Sequence, residues 1–252
     1  MGSEFQGPRT AIVTGGARRI GAAIARALAE DGWHLLIHCN RSVAEGEALA
    51  AEIGNARVVR ADLEATDAAE RVFAAADGMP PVRLLVNNAS RFDYDAAHGF
   101  TADQWDRHMA VNLRAPALLT QAFAARAGEG GGLVVNLLDA KLSSPNPDFF
   151  SYTVSKMGLA GLTELAARAF GPQRIRVCGI APAVTLLSGA QTAENFEAVH
   201  ALNPLRRGIA VEEIVAALRF LVAAPTVTGQ VITIDGGQRF LGLARDVQFL
   251  EP

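Results

Sequence analysis

Lysine and tyrosine are nearly missing from this sequence. Of its 23 basic residues only Lys141 and Lys156 are lysines, and its two tyrosines are Tyr94 and Tyr152. The chain uses arginine wherever a plain positive charge suffices, so a lysine marks a position where ammonium chemistry is wanted. Cysteine is equally scarce: Cys178 falls in an expected strand and Cys39 at the end of one, as buried reduced thiols do. No apolar run reaches the roughly 18 residues of a membrane span. A net charge of −3 supplies no basic field for nucleic acid or an anionic membrane. His34, His98, His108 and His200 form no spaced ligand set, which predicts no metal. The opening hexapeptide, Met1 to Gln6 (MGSEFQ), lacks the apolar stretch of a signal peptide and resembles a cloning remnant. Setting it aside leaves residues 7–252 as one domain, expected to be soluble and cytoplasmic.

What is present is an unbroken alternation of strand and helix patterns. Strands are expected at Ala11–Val13, Trp33–His38, Ala56–Arg60, Leu84–Val86, Leu133–Leu138, Ile175–Ile180 and Val231–Ile234. Helices are expected at Ile20–Ala29, Val43–Ile53, Ala68–Ala76, Trp105–Ala127, Tyr152–Phe170 and Val211–Ala223, with a kink at Pro116 in the long one. Gly171 and Pro172 close the helix from Tyr152. Apolar strands separated by helices imply an α/β fold, a parallel sheet covered on both faces. The stretch from Thr185 to Asn203 is less periodic. It suits a lid over the carboxyl ends of the strands, and an ordinary loop with a short helix suits it as well.

The first strand runs into Thr14-Gly15-Gly16-Ala17-Arg18-Arg19-Ile20-Gly21 and then a helix. Glycines let the backbone approach a pyrophosphate, and the helix N-terminus offers N–H groups and the positive end of its dipole. The end of the second strand chooses the dinucleotide. A carboxylate there would bind the ribose 2′-hydroxyl and repel a 2′-phosphate. The segment reads His38-Cys39-Asn40-Arg41-Ser42, without a carboxylate. Arg41 can pair with a phosphate, Ser42 can donate a hydrogen bond, and Arg18 can add charge, so NADPH is expected. Asp62 and Leu63, after the third strand, lie in reach of an adenine ring.

Tyr152 and Lys156 stand four apart at the start of a helix and share a face. A neighbouring ammonium favours the phenolate and makes the phenol a better acid near neutrality. With these residues in place, the sequence resembles the short-chain dehydrogenase/reductase family from Thr10 to Gly237. The resemblance rests on Thr14-Gly15…Gly21, Asn87-Asn88-Ala89, Asn112, Tyr152…Lys156, Pro182 and Asp235-Gly236-Gly237. It implies a single Rossmann-type domain with a seven-stranded parallel sheet in the order 3-2-1-4-5-6-7 and helices on both faces. It also implies Tyr152 as proton donor, Lys156 on the nicotinamide ribose, and Asn112 supporting a proton-relay water. Ile20, Asn88, Ala89, Ser90, Val184 and Thr185 join the cofactor site by the same resemblance, as do Tyr152, Lys156 and Pro182. It further implies a homotetramer built through the helices Trp105–Ala127 and Tyr152–Phe170.

Two departures from the family pattern are informative. Arg19 stands where a third glycine is usual, and Asp139 stands thirteen residues before Tyr152, where the family has a catalytic Ser. An ionised Asp139 would oppose the negative charge that builds on a carbonyl oxygen during reduction, by about 4 kcal/mol for unit charges ~4 Å apart at an effective dielectric of 20. At a C=N bond the nitrogen gains a proton, so a carboxylate stabilises the acceptor or a carboxylic acid supplies that proton. Asp139 with a raised pKa, mimicking Ser as a donor, is the other reading. The departures resemble the pteridine reductase and dihydromonapterin reductase branch of the family. That resemblance implies a pterin stacked on Phe92, with Ser90, Arg19, Asp139 and Tyr152 as its polar contacts. Ala183 and Thr185 depart from that branch. The competing functions are a carbonyl reductase acting on oxoacyl thioesters or sugars, and a dinucleotide-binding sensor without catalysis.

Overall fold

The computed structural model describes Phe5, residues 7–187 and residues 191–250. Its strands are β1 (Thr10–Val13), β2 (His34–Cys39), β3 (Ala56–Arg60), β4 (Val82–Asn87), β5 (Gly132–Leu137), β6 (Ile175–Pro182) and β7 (Val231–Ile234). All pair in parallel, in the order β3-β2-β1-β4-β5-β6-β7. The order reverses between β1 and β4, and the carboxyl ends of these strands form the crevice where α/β sheets bind ligands.

The helices are α1 (Arg19–Glu30), α2 (Val43–Ile53), α3 (Ala68–Ala74), α4 (Ala102–Met109), α5 (Ala115–Ala127), α6 (Phe150–Phe170), α7 (Ala193–His200) and α8 (Val211–Ala223). Successive strand residues point to opposite faces, so each strand feeds two cores. Leu35, Ile37, Leu84, Val86, Leu133 and Val135 pack against Ile24 and Leu28 of α1 and Ile214 and Leu218 of α8. Leu36, Leu85 and Val134 face the other way, onto Val72 and Phe73 of α3 and Leu119 and Phe123 of α5. Phe5 lies inside the hexapeptide set aside above, yet it is buried with its ring 5.7 Å from that of Trp33.

The helix expected over Trp105–Ala127 is longer and interrupted. It begins at Ala102, where Thr101 and Gln104 form a capping box. A π-helical turn, Ala110–Arg114, then separates α4 from α5. Pro116, near the start of α5, has no N–H to continue the ladder, and the disruption falls just before it. The π turn carries Asn112 into the interior. Opposite it, Gly158 of α6 admits Leu113, whose Cδ2 would lie 2.7 Å from any added Cβ. A buried polar chain fixes α6 to the sheet. Asn87 Nδ2 donates to Asn136 Oδ1 at 2.8 Å, and Asn136 Nδ2 donates to Thr163 Oγ1 at 2.9 Å. A helix held this way presents Tyr152 and Lys156 at a set height above β5.

Candidate active site

The cofactor end is built from the turn after β1. Gly15 has φ +60, in the left-handed region, and a Cβ on Gly21 would collide with the Gly15 carbonyl oxygen and come within 2.6 Å of Asn88 Nδ2. Thr14 Oγ1 accepts the backbone N–H of Asn88 and of Ala89, each at 3.0 Å, and Asn88 Nδ2 donates to the Thr14 carbonyl at 2.8 Å. The turn is thus tied to the end of β4. Arg19, at the position of the third glycine, also has positive φ (54°). A non-glycine residue there carries backbone strain on the order of 1 kcal/mol or more. Its guanidinium donates to the carbonyls of Leu187 (2.7 Å) and Leu186 (3.4 Å), tying the start of α1 to the segment after β6.

A cleft of about 850 Å³ runs from this turn past Arg18, Ile20, Asn40, Arg41, Asp62, Leu63 and Ala89. Arg41 is exposed at its mouth, with Arg18 beside it, 3.8 Å from Glu45. His38 does not line the cleft. It is buried beneath the turn, where its Nδ1 accepts the Gly15 N–H at 3.2 Å and its Nε2 reaches the Ala61 carbonyl at 3.0 Å. An acceptor Nδ1 and a donor Nε2–H describe the neutral imidazole. Burial holds its pKa below the ordinary value. Both ring nitrogens are thus spent on backbone. Ser42 is the N-cap of α2 but makes no side-chain capping bond, and it does not line the cleft.

A second cleft of about 510 Å³ adjoins the first and shares Arg19, Ile20, Asn88, Ser90 and Phe92 with it. Asp139, Tyr152, Lys156, Pro182, Val184 and Thr185 line it, so the sequence-derived chemical residues converge here. Asp139 caps the short 3₁₀ turn Ala140–Ser143, and its Oδ1 accepts the Lys141 backbone N–H at 2.8 Å. Its Oδ2 accepts the Tyr152 hydroxyl at 2.7 Å. Burial raises the Asp139 carboxyl above the usual carboxylate range, against the pull of those two hydrogen bonds. Burial, then the Asp139 charge, raises the Tyr152 phenol well above its ordinary value. Burial lowers Lys156 to about 8.

Lys156 Nζ lies 5.8 Å from the Tyr152 ring centroid and donates to the Leu137 carbonyl at 2.7 Å. Asn112 is fully buried. Its Oδ1 accepts the Arg91 N–H at 2.8 Å and the Ser90 hydroxyl at 3.3 Å, and its Nδ2 donates to Ser155 Oγ at 3.0 Å. Phe92 packs edge-on to Tyr152 with ring centroids 4.7 Å apart, and stacks on Phe149 at 4.2 Å.

Sequence reasoning missed two features. One is the contribution of the chain's end: Gln238, Arg239, Leu243, Asp246, Val247 and Gln248 all line the second cleft. The other is Lys141, whose Nζ donates to the Asp148 carbonyl at 2.6 Å and pairs with Asp246 Oδ2 at 3.1 Å. The scarcity of lysine was the available signal. The segment expected as a lid contains α7, capped by Thr192, which accepts the Asn195 N–H at 3.1 Å. Ser188, Gly189 and Ala190 within it lie outside the described residues. Among the described residues no group of three His, Cys, Asp or Glu has metal-binding geometry, and no helix is long and apolar enough to cross a membrane.

The family model described as Enoyl-(Acyl carrier protein) reductase matches residues 15–239. Pteridine reductase 1 of Leishmania tarentolae is 32% identical, with 90% of this chain and 95% of the relative covered. The probable galactose dehydrogenase GalD of Rhizobium meliloti (strain 1021) is 34% identical, with 91% and 94% covered. Among solved structures, FolM alternative dihydrofolate reductase 1 from Brucella suis, in complex with NADP, superposes with a TM-score of 0.88. It shares 44% identity, with 92% of this chain and 95% of that chain covered.

Proposed function

The chain belongs to the short-chain dehydrogenase/reductase family, and from that membership we propose that it is an NADPH-dependent reductase of a C=N bond in a pterin ring. Dihydropterin is the main substrate of this reading, and fully oxidised pterin is a second one. The observation that carries it is the Asp139–Tyr152 pair, hydrogen-bonded at 2.7 Å beneath Phe92 where the family pattern has Ser and Tyr. The pterin-reducing relatives described above support it.

The first cleft fits a dinucleotide phosphate. Gly15 and Gly21 leave the backbone open to a pyrophosphate, and Arg18 and Arg41 stand where a 2′-phosphate needs cations, with no carboxylate at the end of β2. When bound, NADPH supplies the hydride. Tyr152 and Asp139 share the proton that the ring nitrogen takes up, and burial, by raising the Asp139 carboxyl, favours its holding that proton. Lys156, Asn88, Ser90 and Thr185 bound the nicotinamide side, and Asn112 holds the Ser90–Arg91 backbone in place. Phe92 offers a flat apolar surface to the heterocycle while Arg19 and Ser90 set its orientation.

Self-association to a homotetramer belongs to the same proposal. α6 exposes Met157 and Leu165, apolar side chains on one of the two helices the family uses for assembly. A cytoplasmic location fits the two buried free thiols. The test is NADPH oxidation by the purified protein with dihydrobiopterin, dihydromonapterin or dihydrofolate, beside an acetoacetyl thioester. Pterin-dependent turnover is the expected result. Turnover with the thioester alone would make Asp139 a serine substitute and the enzyme a carbonyl reductase. NADPH binding without turnover would leave a dinucleotide sensor.

A further inference from the structure

The last turn of the chain folds back over the second cleft and is pinned there. Asp246 N–H and Arg245 Nε both donate to Asp148 Oδ2, each at 2.7 Å. Asn195 of α7 donates to the Leu250 carbonyl at 3.0 Å, and Phe249 stacks on Phe149 with centroids 5.9 Å apart. This strap delivers the Asp246 carboxylate to Lys141, two residues from Asp139 in sequence and in the same cleft. The pair is nearly dry: the Lys141 side chain is 9% exposed and that of Asp246 13%. Opposite charges in such a setting act strongly on a third group beside them.

We propose that Lys141 and Asp246 are positioning residues that form an electrostatic lever on the Asp139 carboxyl group, as a desolvated ion pair in the same cleft whose lysine backbone N–H is bonded to Asp139 Oδ1. The lever rests on the reading of Asp139 as the group that holds the proton for a C=N bond. It adds to that reading a contribution from the 245–250 strap: Asp246 offsets the Lys141 charge in the cleft that holds Asp139. The other charges around Asp139 are accounted for. Lys156 and Tyr152 face it from α6, and Arg19 lines the far wall, bound to the carbonyls of Leu186 and Leu187. Arg239 is paired with Asp235 at 2.7 Å, Arg245 with Asp148, and neutral-favouring His108 lies behind Tyr152 with centroids 6.4 Å apart. The Asp246 charge raises the Asp139 carboxyl and the Lys141 charge lowers it.

The measurement is the titration of Asp139 itself, by carboxyl-carbon NMR of aspartate-labelled, NADP-bound protein. The Asp139 signal is identified by its loss in Asp139→Asn. In Lys141→Met the midpoint moves up, because the backbone N–H bond to Asp139 stays while the cation goes. In Asp246→Asn it moves down, because the strap's negative charge is lost and the lysine is left unopposed. Asp246→Glu restores the wild-type midpoint. Shifts in the same direction for both variants, or none in either, would overturn the lever. Should Asp246→Asn not fold, Lys141→Met against Lys141→Arg decides alone: an upward shift in the first and a wild-type midpoint in the second is expected, and equal midpoints overturn the idea. No substrate is present in this titration, so dihydropterin turnover on the same samples tests the pterin reading separately.

Discussion

Tyr152 and Asp139 share one hydrogen bond of 2.7 Å, with the phenol as donor and an Asp139 carboxyl oxygen as acceptor. A serine at 139 would instead place a second hydroxyl donor beside the phenol, the arrangement suited to an oxygen acquiring negative charge. Asp139→Ser should therefore lower pterin turnover by roughly 100-fold or more, the usual worth of a positioned acid. Steady-state rates with dihydropterin check it, and turnover undiminished by the change would sink the charge argument. A gain of thioester reduction in the same variant is the complementary outcome.

Lys156 is buried, and its pKa falls from 10.5 to about 8. Because the folded pKa lies below the unfolded one, the unfolded chain binds more protons between those values, and folding gains stability as pH rises from 8 to 10.5. The full difference is roughly 3 kcal/mol. Lys156→Met removes this titration. The unfolding free energy of the wild type relative to the variant should thus climb across that window, as measured by urea denaturation at a series of pH values. A flat difference would mean that the ammonium is not desolvated. Turnover should be lost in the variant throughout.

Much of this site was legible because its signals are local. The glycine turn, the Tyr152–Lys156 spacing and the Asp139 departure each need only a strand or helix boundary to be placed, and the alternating strands fixed the crevice. What was not legible lies in contacts between distant segments. The bonds of His38 to the Gly15 N–H and the Ala61 carbonyl join segments far apart in the chain. The Leu137 carbonyl that takes the Lys156 ammonium belongs to β5, beyond what the Tyr152–Lys156 spacing shows. Asp246 could not be placed at all, because no periodicity tells where a chain's end docks. Pro116 announced a break, but not that the break would be a π turn lowering Asn112 into the core.

His38 joins the turn after β1 to the end of β3 through two hydrogen bonds to backbone. Replacing it with Phe keeps the bulk and strands a buried N–H and a buried carbonyl, each costing about 1–3 kcal/mol. His38→Phe should lose stability in urea and weaken NADPH binding by loosening Gly15. Unchanged NADPH affinity would show that the turn holds its shape without the clamp. In the wild type, the buried neutral imidazole adds to acid lability. Its folded pKa is depressed, so stability falls as pH drops below the ordinary histidine range of about 6.5.

Arg41 is the residue proposed above to read the 2′-phosphate of the cofactor. It is exposed at the mouth of the first cleft, beyond the end of β2, with Arg18 on the same rim. A 2′-phosphate there gains a charge-assisted hydrogen bond of about 1.5–3 kcal/mol that a 2′-hydroxyl does not. Arg41→Asp removes that gain and adds repulsion, while giving the ribose hydroxyls of NADH an acceptor. The Michaelis constant for NADPH should rise roughly 10-fold to 100-fold, as those energies imply, while that for NADH stays level or falls. Initial rates with both cofactors at a fixed dihydropterin concentration give the ratio. If the ratio does not move, the 2′-phosphate is not read by Arg41. Because the residue is exposed, a folding defect is not expected to confuse the result, and the turnover number with saturating NADPH should remain close to that of the wild type.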